Sequence, residues 1–131
     1  MKMSKCKVHE FDPQIYPRKL WVVKGGDVDS LKDMFTQTDG KELDFKEVSQ
    51  CLAITCNVMM KDERRLLGEL IYFTSAKQMN AENISHEATH AAMDIFSDLG
   101  AMLQYDNQEP FAYLVGWIAD CIDLVKRDKF K

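Results

Sequence analysis

The stretch LLGELIYFTSAKQMNAENISHEATHAAMDIFSDLG, residues 66–100, changes its hydrophobic period partway along and so decides the fold class. Residues 66–74 are apolar and rich in branched and aromatic side chains, which favours a strand, although the leucines leave a helix as an alternative. From Asn80 onwards the apolar residues recur at intervals of three and four, which predicts a helix. The apolar positions of this helix are Ile84, Ala88, Ala91, Ala92, Ile95, Phe96 and Leu99.

The predicted helix carries ordinary start and stop signals. Asn80 or Asn83 can accept a hydrogen bond from a first-turn N–H group, and Gly100 tolerates the backbone conformation that commonly ends a helix. A second helix follows at 107–128, where Pro110 is tolerated because first-turn N–H groups have no partner within a helix. Its apolar positions are Phe111, Leu114, Ile118, Cys121, Ile122 and Val125.

Two upstream pieces of sequence predict further strands. KLWVVK at 19–24 is rich in large and β-branched residues and ends at a Gly-Gly turn signal. CLAITCNVMM at 51–60 is expected to form a hairpin with residues 66–74, because the run at 61–65 is entirely charged and suits a solvent-exposed connection.

These elements predict a single α+β domain, residues 1–131, in which a small mixed or antiparallel sheet packs on two helices. Between the predicted strands, Asp27 or Asp29 can cap a short helix at 30–37, which the turn residues at 38–40 end. The predicted parts, in order, are an N-terminal extension (1–18), a strand-rich part (19–74), a first long helix (80–100) and a second long helix (107–128).

Composition narrows the class of partner. Hydrophobic residues make up 46% and charged residues 29% of 131 residues, which is typical of a soluble globular domain. The net charge of −4 argues against a broad phosphate-binding surface, so no nucleic-acid partner is expected. No apolar run reaches the roughly 18 residues of a membrane span, and polar residues stand where a signal peptide would be apolar. We therefore expect a cytoplasmic protein.

The four cysteines do not indicate a metal site or a redox centre. Cys6, Cys51, Cys56 and Cys121 contain no pair with the two-residue spacing of a zinc knuckle or a redox dithiol. We expect reduced thiols that mostly serve packing.

The first long helix contains His86-Glu87-Ala88-Thr89-His90, an HExxH motif. Residues four apart on a helix are displaced by about 6 Å along the axis and about 40° around it, so two imidazoles can converge on one ion. Zinc accepts neutral imidazole nitrogens, and Glu87 projects beside such an ion, where a base for water is needed. The alternative is a pair of helix histidines with a solvated Glu87.

A catalytic zinc needs a third protein ligand, and the next helix offers Glu109. It lies 19 positions after His90, in the first turn of the second helix. A first-turn carboxylate is also favoured by the helix dipole, and Asp106-x-x-Glu109 fits an acidic variant of the capping box. The spacing alone leaves both roles for Glu109 open.

The pattern resembles the gluzincins, the zincin metallopeptidases with a glutamate ligand. The matching residues are the HExxH motif and Glu109-Pro110-Phe111-Ala112, an ExxA-like second motif. The amino-acid sequences of residues 84–100 and 109–118 are similar to those of small single-domain zincin-like proteins of phages and mobile elements. The resemblance covers about residues 66–125. It implies a minimal zincin-like fold, Zn²⁺ held by His86, His90 and Glu109, and Glu87 as general base.

The resemblance also implies a place for the substrate. In that family, the strand before the HExxH helix is the sheet edge that pairs with an extended peptide, which here corresponds to residues 70–74. Tyr113 lies one turn after Glu109 on the same helix face, where it can stabilise an oxyanion or be an ordinary half-buried tyrosine. Asp94, one turn after His90, can accept an N–H from a ligand histidine or be solvated.

The leading hypothesis is a zinc-dependent metallohydrolase, most specifically a peptidase that acts on a peptide or protein. The alternative is a zinc-stabilised binding module with weak or absent catalysis, because the chain has no recognisable second lobe to form the far wall of a cleft. A third hypothesis is an α+β interaction protein without metal. The sequence does not decide the oligomeric state.

Overall fold

A computed structural model describes residues 3–45 and 52–129 of the chain. The described residues form five strands and two long helices, together with two short 3₁₀ helices at Val28–Asp33 and Ala76–Gln78. The strands are β1 (Val8–Phe11), β2 (Lys19–Lys24), β3 (Phe35–Gln37), β4 (Ala53–Met60) and β5 (Leu67–Phe73), and the helices are α1 (Ala81–Asp98) and α2 (Glu109–Lys126). The expected α+β class is confirmed.

The strands form one mixed sheet in the order β1-β2-β5-β4-β3. β2 and β5 pair in parallel, and the other three pairings are antiparallel. β4 and β5 form the predicted hairpin, which runs through the charged residues 61–65. Cys51, the first residue of the predicted strand 51–60, lies outside the described residues.

Both long helices pack on the same face of the sheet. Their buried residues and the inward side chains of β2 and β5 form one apolar cluster, which includes Leu20, Val22, Ile71, Phe73, Ala88, Ala91, Ala92, Ile95, Ile118 and Ile122. Residues 28–45 cover the opposite face of the sheet. The second apolar cluster lies there and includes Trp21, Val23, Leu31, Phe35, Val58, Leu70 and Tyr72. The two clusters explain why β2 and β5 are almost continuously apolar.

The predicted boundaries of α1 agree with the structure. The Asn80 side chain accepts a hydrogen bond from the Asn83 backbone N–H at 2.9 Å, so Asn80 is the N-cap. After the helix, Gly100 has a positive φ of 69°, as the stop signal requires.

The N-terminal extension and the short helix need correction. Residues 8–11, which the sequence left without an element, form β1 and pair with β2. The helix expected at 30–37 is a 3₁₀ helix at Val28–Asp33, capped by Asp27, and Phe35–Gln37 is a strand. Pairing with the end of β4 outweighs the local helical pattern there.

The predicted edge strand at 70–74 is wrong. β5 lies in the middle of the sheet, hydrogen-bonded to β2 on one side and to β4 on the other. Its backbone groups are therefore already paired and cannot add a further strand.

The start of α2 also differs from the capping-box interpretation. The helix begins at Glu109, and its N-cap is Gln108, which makes no side-chain capping hydrogen bond. Asp106 therefore does not cap the helix, whereas Pro110 occupies the first turn as expected.

Close approach of two backbones makes Gly68 a position that only glycine fits. A Cβ atom at Gly68 would overlap the backbone carbonyl of Lys19 on β2, whereas a Cβ at Gly116 of α2 would meet no atom within 4 Å. We expect Gly68→Ala to lower the free energy of unfolding by about 2 kcal/mol or more, because two backbones must separate.

Gly116→Ala is the matched control for this substitution. It should raise stability by about 0.5–1 kcal/mol, since alanine has the better helix propensity. Urea unfolding of both variants measures the difference. Equal effects of the two substitutions would contradict the close β2–β5 approach.

Candidate functional site

The orientation of α1 on the sheet places one row of polar side chains, here called the polar stripe, beside β4. Ala88, Ala91 and Ile95 face the sheet and are fully buried, so residues on the flank of the helix lie over its margin. The polar residues of this flank recur at intervals of four: His86, His90, Asp94 and Asp98. The stripe contains both histidines of the HExxH motif.

The two histidines of the motif converge. Their Nε2 atoms are 3.1 Å apart, and the ring centroids are 4.7 Å apart with the planes at 77°. Two nitrogen ligands of a tetrahedral zinc ion, each at about 2.0–2.1 Å, lie about 3.3 Å apart. A proton shared by the two nitrogens fits the same separation. The separation therefore fits both a hydrogen bond between the two rings and a cation held by the two nitrogens.

Glu87 lies beside the histidine pair, and a hydrogen bond from β4 holds its side chain in place. Its side chain is largely buried, and Oε1 accepts a hydrogen bond from Thr55 Oγ1 of β4 at 2.7 Å. The other oxygen, Oε2, is 3.9 Å from His86 Nε2. One carboxylate oxygen is therefore fixed by the sheet while the second points toward the histidines.

These groups line one open cavity of about 280 Å³ between α1 and the start of β4. Its lining residues are Ala53, Ile54, Thr55, His86, Glu87, His90 and Asp94. Imidazole nitrogens, a carboxylate and the part of β4 that pairs with β5 alone among the described strands thus meet in one place. That combination suits proton transfer to or from a bound polar molecule.

The structure does not bring Glu109 to this cavity. Glu109 is exposed at the first residue of α2 and is not among the cavity's lining residues. Across residues 3–45 and 52–129, no group of three or more His, Cys, Asp or Glu side chains is arranged to hold a metal ion. The ligand role of Glu109 stays a prediction.

Tyr113 lines a different cavity. It is 73% exposed and, together with Pro13, Ile15 and Trp117, borders an apolar cavity of about 370 Å³ at the start of α2. Its proposed contact with an oxyanion is likewise a prediction without support from the position of its side chain.

Two of the cysteines are poor nucleophiles. Burial raises the pKa of Cys56 to about 12, and the neighbouring Glu69 and Asp94 carboxyls act in the same direction. Burial also raises the pKa of Cys121 to about 12. Because the thiolate is the reactive form, both fit the expected packing role.

Sequence reasoning missed the residues that support the motif from the sheet. Thr55 and Asn57 of β4 face α1, and Asn57 Nδ2 donates a hydrogen bond to Asp98 Oδ1 at 3.1 Å. The signal was the alternation of polar residues in an otherwise apolar strand, since side chains two apart share a face. Glu69 of β5 lies on the same face and is fully buried.

Burial raises the pKa of Glu69 to about 11. A hydrogen bond with Asp94 and the charges of Asp94 and Asp98 contribute to that rise, and the charge of Arg18 opposes it. Glu69 therefore carries a proton at neutral pH, unlike a glutamate in the unfolded chain.

Comparisons with known proteins identify no relative of this chain. No protein-family model, no curated protein and no solved structure matches it. In addition, no helix among the described residues has the length and apolar character to cross a membrane.

The raised pKa of Glu69 predicts a pH dependence of stability. Between about pH 5 and pH 10 the folded protein retains a proton that the unfolded chain releases near 4.5, so stability falls as the pH rises. The slope from this one group is at most about 1.4 kcal/mol per pH unit. Glu69→Gln removes the group and should abolish that part of the slope.

Urea unfolding of the wild-type protein and of Glu69→Gln at several pH values measures this effect. The difference in free energy of unfolding should shift in favour of the variant with each step to higher pH. Parallel pH curves would show that folding leaves the pKa of Glu69 unchanged.

Proposed function

We propose that the protein is a zinc-dependent hydrolase and that its substrate is a peptide or protein. One observation carries this proposal: the Nε2 atoms of His86 and His90 lie 3.1 Å apart, with the Glu87 carboxylate adjacent. A cytoplasmic location, expected from the sequence, belongs to the same proposal.

The side chains of His86 and His90 can supply two of the four ligands of a tetrahedral zinc ion. His86 and His90 would hold the metal through Nε2, and their neutral imidazoles are ligands that zinc accepts. Glu109 is proposed as the third ligand on the strength of the gluzincin-like sequence pattern, which requires the start of α2 to approach the cavity. When bound, zinc polarises a carbonyl group and lowers the pKa of a coordinated water to about 7.

Glu87 would serve as the proton carrier of the reaction. Its carboxylate would accept a proton from the attacking water and later return it to the leaving amine. The hydrogen bond from Thr55 to Oε1 holds the side chain in place, so that Oε2 remains free to face the cavity. Tyr113 is proposed as an additional donor to the oxyanion, again on the sequence pattern.

An extended peptide would bind along β4 rather than along residues 70–74. β3 covers only the end of β4, from Val58 to Met60. Among the described strands, residues 53–57 pair with β5 alone, and three of them line the cavity. Their outward backbone groups can pair with a substrate strand next to Glu87.

A second candidate function is a zinc-stabilised binding module with little or no catalysis. The open shape of the cavity and the absence of Glu109 from its lining favour this alternative. In this case metal binding would support a partner surface, and Glu87 would be dispensable.

The proposal predicts one zinc ion per chain. Native mass spectrometry of the purified protein with added zinc should show one bound ion, and His86→Ala and His90→Ala should each lose it. His9→Ala is the matched control, because His9 lies on β1, separated from β4 by two strands. A wild-type protein that binds no zinc would end the proposal.

The catalytic part is tested with Glu87→Gln on a peptide library. This variant should retain zinc but cleave at least about 10²-fold more slowly, since a positioned proton carrier contributes that much. Zinc binding with no cleavage by the wild-type protein would select the binding module. Glu109→Gln should weaken zinc binding if Glu109 is the third ligand, and unchanged affinity would remove it from the site.

A further inference from the structure

A buried acid lies beneath the candidate site. Glu69 stands on β5, between Leu20 of β2 and Asn57 of β4 as cross-strand neighbours, and is 0% exposed. Ile71 and Phe73, two and four residues further on, pack in the cluster under the helices. Because alternate side chains of a strand share a face, Glu69 also points toward α1.

Within the described part of the chain, no N–H or O–H donor reaches the carboxyl group of Glu69. Neither carboxylate oxygen of Glu69 accepts a hydrogen bond from a conventional donor group of the described residues, and neither does the buried Oδ1 of the neighbouring Asn57. The Glu69 carboxyl group instead meets the carboxyl group of Asp94. An unpaired buried acceptor costs about 1–3 kcal/mol, and an ionised one costs more. A group of buried oxygen atoms without donors is stable if one Glu69 oxygen carries a proton and so becomes a hydrogen-bond donor.

The charged groups around Glu69 indicate which of them accepts a hydrogen bond from its protonated carboxyl group. Asp94 and Asp98 approach from α1, and Arg18 approaches from the segment before β2. Arg18 Nε lies 3.4 Å from Asp98 Oδ2, and Asn57 donates to the other oxygen of Asp98. Asp98 is thus supplied with hydrogen-bond donors by Arg18 and Asn57, whereas the side chain that approaches Asp94 within hydrogen-bonding range is that of Glu69.

Asp94 connects this buried acid to the candidate site. It borders the same cavity as His86, Glu87 and His90, and it follows His90 by one helical turn. A carboxylate at that place can accept a hydrogen bond from Nδ1–H of His90, which leaves Nε2 unprotonated and able to bind a cation.

We propose that Glu69 is a positioning residue for the candidate site: its neutral carboxylic acid donates a hydrogen bond to Asp94, and Asp94 in turn orients the ring of His90. The inference rests on the proposed function, in which His90 Nε2 binds the metal. The raised pKa of Glu69 supports it, since only the protonated acid can donate to a carboxylate.

Glu69→Leu and Glu69→Gln form a matched pair of variants. Both remove the ionisable group at a fully buried position, but only glutamine retains N–H donors for Asp94. Both variants remove the free-energy cost of protonating Glu69 on folding at neutral pH, so the thermal midpoint of both should equal or exceed that of the wild-type protein. A difference between the two in the site therefore reports on the hydrogen bond rather than on folding.

The first readout is the tautomer of His90 in the metal-free protein, measured from its ring ¹⁵N chemical shifts at pH 8 with His9 as internal reference. The wild-type protein and Glu69→Gln should hold the proton on Nδ1, whereas Glu69→Leu and Asp94→Asn should shift it toward Nε2. The double variant Glu69→Leu/Asp94→Asn should add no further change, because both residues act in one chain of contacts.

The second readout is zinc affinity. Glu69→Leu should bind zinc about 10- to 100-fold more weakly, the usual cost of losing a residue that supports a ligand, while Glu69→Gln should stay within about threefold of the wild type. If Glu69→Leu leaves both the tautomer and the affinity unchanged, Glu69 does not position His90, and the metal site stands without it. If the wild-type protein binds no zinc, the proposed function fails, and the tautomer alone still decides the role of Glu69.

Discussion

The packing of α1 on the sheet fixes the positions of His86, Glu87 and His90 in the candidate site. Three small residues, Ala88, Ala91 and Ala92, bring the helix close to β5, and Ile95 completes the fully buried face. A helix held this way cannot rotate without exposing apolar surface, which costs about 25 cal/mol per Å². His86 and His90 therefore stay over β4, where their nitrogen atoms meet.

Much of the fold is predictable from the sequence because the hydrophobic periodicity and the capping residues indicate the same element boundaries. Asn80 and Gly100 bound α1, and the charged run at 61–65 joins the hairpin strands. The strand order is not predictable in this way, since it depends on contacts distant in sequence. The family resemblance implied that residues 70–74 form a sheet edge, whereas β5 pairs with β2 as well as with β4.

The HExxH motif is recognisable in the sequence, but the residues of the sheet that hold its side chains in place are not. HExxH places two histidines and a glutamate on one helix by spacing alone. Thr55, which holds Glu87, and Glu69 beneath Asp94 come from two strands whose register cannot be read from the sequence. The converse holds for Glu109 and Tyr113: their sequence pattern is suggestive, yet both lie at the start of α2, outside the lining of the histidine cavity.

The central claim is that His86 and His90 share one metal ion. X-ray absorption at the zinc edge, recorded on the protein loaded with one equivalent of zinc, tests it directly. The account predicts scattering from two imidazole rings with zinc–nitrogen distances of about 2.0–2.1 Å. A spectrum with one imidazole or none would show that the two rings meet for another reason, and the hydrolase proposal would fall with it.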